Sequence, residues 1–284
     1  MAGFRSWCRR VSLGLPTILG LARRGFFIPY RYAGGVPRAG SSSPYAAIES
    51  LFSDRRQQFG TWIETINGFA GNLEAIGRDA PPAPRWRQDW FPRIDAAAAY
   101  AVVRTVAPTR IVEVGSGHST RFLARAVRDG GLATAITAID PAPRADLAGL
   151  PEVKLLQETL QSVGTDPFAD LVAGDILAID SSHILMPGSD VDILLNRILP
   201  TLPHGTLLHV HDIFLPDDYP ADWAWRGYNE QLGIAALLTS GAWRAEFSSH
   251  YAATRMGDLV GRTVLGRLPL QDGARESGLW LKKG

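Results

Sequence analysis

One cysteine, Cys8, in 284 residues excludes an intramolecular disulfide and any zinc cage built from thiolates. It points to a reducing compartment, and the cytoplasm is the expected location. Net charge is nearly absent as well, since 29 Lys and Arg stand against 28 Asp and Glu. A chain so balanced projects no basic field of the kind that recruits nucleic acid, and nucleic acid is not an expected partner. Long apolar runs are missing: VSLGLPTILGLA, between Arg9-Arg10 and Arg23-Arg24, contains Pro16 and falls well short of the roughly 20 residues a spanning helix needs. Acid is missing from the start of the chain, where seven arginines (Arg5, Arg9, Arg10, Arg23, Arg24, Arg31, Arg38) precede the first carboxylate, Glu49.

What is present is a 46% hydrophobic composition, enough for a buried core. Residues 1–47 are expected to form a basic N-terminal helical arm. The arm packs on the rest of the chain or on a second copy in a homo-oligomer, or it touches anionic lipid as a peripheral membrane contact. RRVSLGL loosely resembles a twin-arginine export signal, and the acid-poor start an organellar transit peptide, but neither is followed by a convincing cleavage site. From Ile48 to Ile76 apolar residues recur mostly every three or four positions, interrupted by Gly60, Gly68 and Gly71, which predicts one or two amphipathic helices. DAPPAPRWRQDWFPR, with four prolines, reads as a stiff connector. Residues 48–91 thus form a helical region with a Pro/Trp-rich connector, and the main domain runs from 92 to 284.

In that domain short β-branched or leucine runs alternate with helical stretches, the signature of an α/β fold with a parallel sheet covered on both faces. Strands are predicted at about 110–114, 134–140, 153–157, 175–180, 206–211, 243–248 and 278–282. Helices are predicted at about 94–107, 118–129, 190–200 and 226–240. Ligands of such sheets sit beyond the carboxyl ends of the strands, where strand order reverses.

IVEVGSGHSTRFLARAV is a strand, a tight glycine turn and a helix. Glycines allow a sharp bend and a close ligand approach, while the free N–H groups of the helix start attract oxygen. A dinucleotide fingerprint wants a third glycine at position 120, and the chain has Thr120. Glu113, two residues before Gly115, would repel a pyrophosphate but could hold an ammonium group. Asp140, at the end of the next strand, is placed to accept from both ribose hydroxyls. An adenosine ligand with an amino-acid tail and no phosphate meets these conditions. The segment resembles motif I of the class I S-adenosylmethionine-dependent methyltransferases, and AIDPAP resembles the acidic second-strand end of that family. The resemblance implies a Rossmann-like, seven-stranded, mostly parallel sheet with S-adenosylmethionine as cofactor. By it Glu113, Gly115, Ser116 and Gly117 would line the methionine moiety, Asp140 the ribose, and Gln157 and Glu158 the adenine.

The resemblance extends through GDILAIDSSHILMPGSDVDILLNRILPTLPHGTLLHVHDIF. It covers roughly residues 90–284 and is most like a subgroup whose fourth strand ends in IDxxH and whose fifth ends in HD, with GSDV and NEQ (Asn229-Glu230-Gln231) in common. Independently of any family, alternation along a strand puts His209 and His211 on one face, with Asp212 opening the loop and Asp180 and His183 leaving the adjacent strand at the same edge. Methyl transfer to oxygen needs an aligned, deprotonated acceptor and little water. His211 suits the role of base, with Asp180 and His183 beside it and Asp212, Asp217 and Tyr219 on the substrate side. Similarity to catechol-type O-methyltransferases implies a competing use, a divalent metal on Asp180, His211 and Asp212. It is not the favoured one, because imidazole suits zinc, iron or manganese better than magnesium. HVHD is also like a metallo-hydrolase ligand run, but Ile213 stands where such a run wants aspartate. His209 is expected in the core and His204 on the surface at the opposite end. The aromatic, acidic stretch IFLPDDYPADWAWRGYNEQ reads as a surface loop, or as a lid or substrate wall.

The expected function is O-methylation of a small-molecule or saccharide-like acceptor. The alternatives are an NAD(P)-dependent oxidoreductase on a similar sheet and a non-catalytic module that binds an adenosine ligand.

Overall fold

Helix α1 (Ala2–Ile18) precedes the elements that build the sheet. The structure, a computed structural model, describes residues 2–284. They divide into two units, one made of residues up to Ser43 together with Asp217–Tyr228, the other of Pro44–Pro216 and Asn229–Gly284. In the first unit, Thr17 Oγ1 accepts from the Arg24 amide at 3.1 Å, turning the chain back after α1. Arg9 lies over the Trp225 ring at 5.5 Å, and the Gly40 amide donates to Asp218 at 3.1 Å. No helix among the described residues is long and apolar enough to cross a membrane.

In the second unit, α2 (Ala46–Asp54), α3 (Arg56–Gly68) and α4 (Ala70–Ala75) come first. They are three helices where one or two were expected, with breaks at Arg55 and Phe69. The connector that follows has neither helix nor strand, as its prolines dictate, but Trp86 and Phe91 are buried. The sheet-building part then runs α5 (Arg93–Val106), β1 (Arg110–Val114), α6 (His118–Gly130), β2 (Ala135–Ile139), β3 (Val153–Leu156), α7 (Leu160–Val163), β4 (Ile176–Ile179), α8 (Asp190–Ile193) and β5 (Leu207–Val210). It closes with α9 (Glu230–Thr239), β6 (Trp243–Ser248), α10 (Ser249–Arg255), α11 (Gly257–Arg262) and β7 (Leu279–Lys283).

The seven strands form one sheet in the order β3-β2-β1-β4-β5-β7-β6. The first five are parallel, and β7 is antiparallel to both its neighbours. This is the mostly parallel, Rossmann-like sheet expected. The core strands are apolar at successive positions because helices cover both faces, and β4 and β5 are buried throughout. Strand order reverses between β1 and β4, so their carboxyl ends flank the crevice where ligands of such sheets bind.

Two helical expectations are corrected. The stretch expected as a helix over 190–200 is the short α8, a wider π-type turn over Leu194–Ile198 and a 3-10 turn over Leu199–Thr201, because Pro200 has no N–H to continue an α-helix. The helix expected from 226 begins at Glu230, since the preceding 3-10 turn (Ala221–Arg226) is closed by Gly227 in the left-handed region. Helices α7, α10 and α11 were not anticipated, being too short to show a period.

Helix α3 packs on β6 and α5 through Phe59, whose ring meets Phe52, Phe247 and Tyr251 edge-on at 5.6–6.1 Å. All four are fully or almost fully buried. Phe59→Ala should therefore cost about 3–5 kcal/mol, read as a lower urea midpoint with an unchanged m-value. A loss under about 1 kcal/mol would show that α3 is not part of the cooperative core.

Candidate active site

The end of β1 sets the geometry. Gly115 has φ +81°, and a Cβ there would lie 1.8 Å from the Asp180 carbonyl oxygen, so no side chain is admissible. The turn is pinned from below. Ser119 Oγ and Thr120 Oγ1 donate to the two oxygens of Glu113 at 2.6 and 2.5 Å, and the Gly117 amide donates to Thr120 Oγ1 at 2.9 Å. Thr120, the departure from the dinucleotide pattern, thus closes the loop onto the strand. Burial of Glu113 outweighs these hydrogen bonds and pushes its pKa up to about 8. At the end of β2, one oxygen of Asp140 accepts from the Ser116 amide (2.7 Å) and hydroxyl (3.1 Å), and the other accepts from the Ala142 amide at 2.7 Å.

These strand ends open on a cleft of about 260 Å³ whose walls include Gly115, Ser116, Asp140, Arg144, Gln161 and Asp180. Of the residues expected around the cofactor, Gly115, Ser116 and Asp140 line it. Glu113 and Gly117 lie just off the wall, Glu113 buried beneath the turn. Where Gln157 and Glu158 were expected, the lining is Thr159, Leu160 and Gln161, and Glu158 instead accepts from Ser162 at 2.5 Å.

Asp180 belongs to this wall and also to a cluster beyond it. His183 Nε2 lies 3.4 Å from both Asp180 and Asp212, and His211 Nδ1 lies 3.6 Å from Asp180 and 3.5 Å from Asp212. Each histidine is backed by a further carboxylate on its other nitrogen: Glu230 at 2.9 Å from His183 Nδ1, and Asp95 at 3.0 Å from His211 Nε2. Asp95 also accepts from the Gly278 amide at 2.9 Å and the Ser277 amide at 3.1 Å, where β7 begins. Two members sit in strained backbone, His183 at φ +60° and Asp212 at φ +56°. Left-handed conformations cost a non-glycine residue roughly 1–2 kcal/mol and gather at functional sites. The start of α9 holds the cluster in place: the Asn229 amide donates to the His183 carbonyl and its side chain accepts from the Leu185 amide, while Gln231 accepts from the Phe214 amide.

The charges follow from the packing. Burial alone would lower the pKa of both histidines, but Asp180, Asp212 and the backing carboxylates raise each well above the ordinary imidazole value. Burial would raise Asp180, yet the charge of His211 and the hydrogen bond with His183 hold it well below the ordinary carboxylate range. His209, one step deeper, is buried against Trp280 and Phe91, its Nε2 without a hydrogen-bond partner among the described residues, and burial takes its pKa down to about 3. It is neutral, as a core histidine should be. His204 is exposed, with Nδ1 against the Gly284 carbonyl.

Asp180, His183 and Asp212 each offer a ligand atom within 4.8 Å of the others, so the donors gathered tightest include His183 where the sequence had pointed to His211. A mixed imidazole and carboxylate set fits zinc, iron or manganese better than magnesium. Backing of His183 by Glu230 is the arrangement a ligating histidine has. Asp217 and Tyr219 lie in the other unit.

Residues 112–213 match the family model described as a methyltransferase domain. Over that stretch, about a third of its length, the chain is similar to a methyltransferase domain. No curated protein sequence matches the chain. Among solved structures it is similar to the SAH-bound methyltransferase PaMTH1 of Podospora anserina, at 14% identity over 92% of this chain and 99% of that one, TM-score 0.43. It is similar to an O-methyltransferase of Bacillus cereus in complex with SAH, at 12% identity over 79% and 91%, TM-score 0.40. It is also similar to the SAM-bound O-methyltransferase TomG of Streptomyces achromogenes, involved in tomaymycin synthesis, at 14% identity over 84% and 96%, TM-score 0.40. At such scores the fold assignment rests on the strand order of the sheet itself.

Sequence reasoning missed Asp95 and Glu230 as partners of the two histidines. Asp95 gave one signal, as the only charged residue in the buried helical run 94–103. Glu230 stood in the quoted NEQ without a role.

Glu113 yields a test of the pinned turn. Between its unfolded value of 4.5 and its folded value of about 8 only the folded state holds the proton. Wild-type stability should therefore fall as pH rises through that window, by up to ~1.4 kcal/mol per unit, and level off above it. Glu113→Gln lacks this term, so thermal unfolding across the window should show the variant gaining on wild type as pH rises. A constant difference would mean that Glu113 titrates normally.

Proposed function

We propose that this chain transfers the methyl group of S-adenosylmethionine to a hydroxyl oxygen of a small, saccharide-like acceptor. The observation that carries the reading is the double placement of Asp180, on the wall of the cleft and against both histidines of the buried cluster. A cofactor whose ribose is held by Asp140 and whose methionine part follows Gly115 and Ser116 would bring its sulfonium methyl to the Asp180 end. S-adenosylmethionine bound in this way would supply an electrophilic methyl group; the Asp180 end would align the acceptor hydroxyl for its displacement from sulfur, and the cluster would take the hydroxyl proton. Because His211 and His183 both favour the imidazolium form, the proton-accepting state is one in which His211 has first lost its proton. The same reading puts Asp212 on the acceptor side and the enzyme in the cytoplasm.

A second reading is favoured by the excess of carboxylates over imidazoles. A divalent transition metal held by Asp180, His183 and Asp212, with His211 alongside, would neutralise that excess and supply Lewis acidity for an acceptor hydroxyl. Glu230 would orient His183, and Asp95 His211.

Calorimetry with S-adenosylmethionine, S-adenosylhomocysteine and NAD tests the cofactor, with binding expected for the first two alone; NAD binding without the sulfonium would sink the proposal. Asp140→Ala should weaken the cofactor about 10- to 100-fold, the worth of hydrogen bonds to a charged group. His211→Ala should leave cofactor affinity intact and lower kcat about 10²- to 10⁴-fold. Equal loss of cofactor binding in both variants would remove the division of roles.

The metal reading has its own readout. Elemental analysis of protein purified without chelator, and the melting temperature with added Zn²⁺ or Mn²⁺, should show about one metal per chain and a stabilisation that His183→Ala abolishes. A melting temperature indifferent to metal and chelator would leave the histidines to proton transfer alone.

A further inference from the structure

Helix α1 is inside out. Phe4, Trp7, Val11, Leu15 and Ile18 recur at steps of three and four and so share one face, yet all five stand between 40% and 70% exposed. The opposite face carries the contact with the rest of its own unit, through Arg9 over Trp225. A soluble amphipathic helix buries its apolar stripe; this one leaves the stripe exposed, as it does Arg9, Arg10 and Ser12. The chain after it continues in kind, with Leu21, Phe26, Phe27 and Ile28 exposed among Arg23, Arg24 and Arg31. No carboxylate occurs before Glu49 to neutralise the seven arginines.

We propose that α1 and the segment up to Ile28 dock on the surface of an anionic phospholipid bilayer, the apolar stripe entering the acyl boundary and the arginines meeting headgroup phosphates. Charge selects this occupant. A second copy laid face to face on the stripe would bring two sets of seven arginines together with no acid among the first 48 residues of either copy to pair them. Nucleic acid would take the arginines but offers nothing to a row of exposed aliphatic and aromatic side chains. The helix is too short to span and contains Pro16, so it lies in the interface plane. Each arginine near such a surface adds attraction that salt screens, and the apolar stripe adds a part that salt does not touch. The inference is independent of the methyl-transfer reading.

The test is co-sedimentation of the full chain with vesicles of phosphatidylcholine alone and with about one-third phosphatidylglycerol. Binding should be at least about tenfold tighter to the anionic vesicles, and the preference should shrink severalfold in ~0.5 M salt. Trp7→Asp combined with Val11→Asp should lower binding to the anionic vesicles at least about tenfold, and Arg23→Glu with Arg24→Glu should reduce the anionic preference while S-adenosylmethionine affinity stays at the wild-type value. Equal binding to both vesicle types, or binding to neither, overturns the proposal. So does light scattering that shows a dimer for wild type and a monomer for the Trp7/Val11 variant, which would assign the stripe to a second copy.

Discussion

The backbone of Gly115 runs so close to the carbonyl oxygen of Asp180 that nothing larger than a hydrogen fits between them. That contact joins the two functional halves of the sheet. On one side is the turn that shapes the cleft, pinned through Thr120 and Glu113; on the other is the strand end that delivers Asp180 to the histidines. Neighbouring strands of a sheet are about 4.8 Å apart, and at a reversal of strand order the helices leave to opposite faces, so the space above β1 and β4 is open. The missing side chain at Gly115 lets the two strand ends reach that space together.

The second constraint is electrostatic. Burying an ion costs several kcal/mol unless it is paired and hydrogen-bonded, and removing one partner of a buried pair typically costs 3–5 kcal/mol. Four carboxylates gathered around two imidazoles therefore stay buried only because each histidine lies between acids. His209, carrying no such partners, stays neutral against Trp280. The same sheet face thus holds one histidine that keeps its proton and one that refuses it, and the difference is the reach of Asp95 and Asp180. The strain at His183 and Asp212 is tolerated because residues 229–231, at the start of α9, bond to the backbone just after each of them.

Much of this was legible in the sequence because the signals are local. Short apolar runs marked all seven strands to within a residue or so, and the spacing of Asp180, His183, His211 and Asp212 placed them at one edge. Thr120 was noticed only as a missing glycine, although its hydroxyl is what closes the turn. The partners Asp95 and Glu230 could not be read, because they are 116 and 47 residues from the histidines they touch and only the packing of α5 and α9 brings them in. The shift of the cleft wall from Gln157 and Glu158 to Thr159, Leu160 and Gln161 has a similar origin. The chain turns after β3 into α7, a helix too short to announce itself, and the turn carries the next residues to the wall.

Asp95 has one more consequence. Its two oxygens are shared among His211, Ser277 and Gly278, so the acid behind His211 is fixed in place by the start of β7. That strand follows β5 and β6 along the chain, yet in the sheet it lies between them. The residues that line the cleft lie between Val114 and Asp190, whereas the amides that hold Asp95 come from Ser277 and Gly278. The cleft is thus built from one continuous stretch of the chain, while the buried cluster is closed by residues drawn from far apart along it.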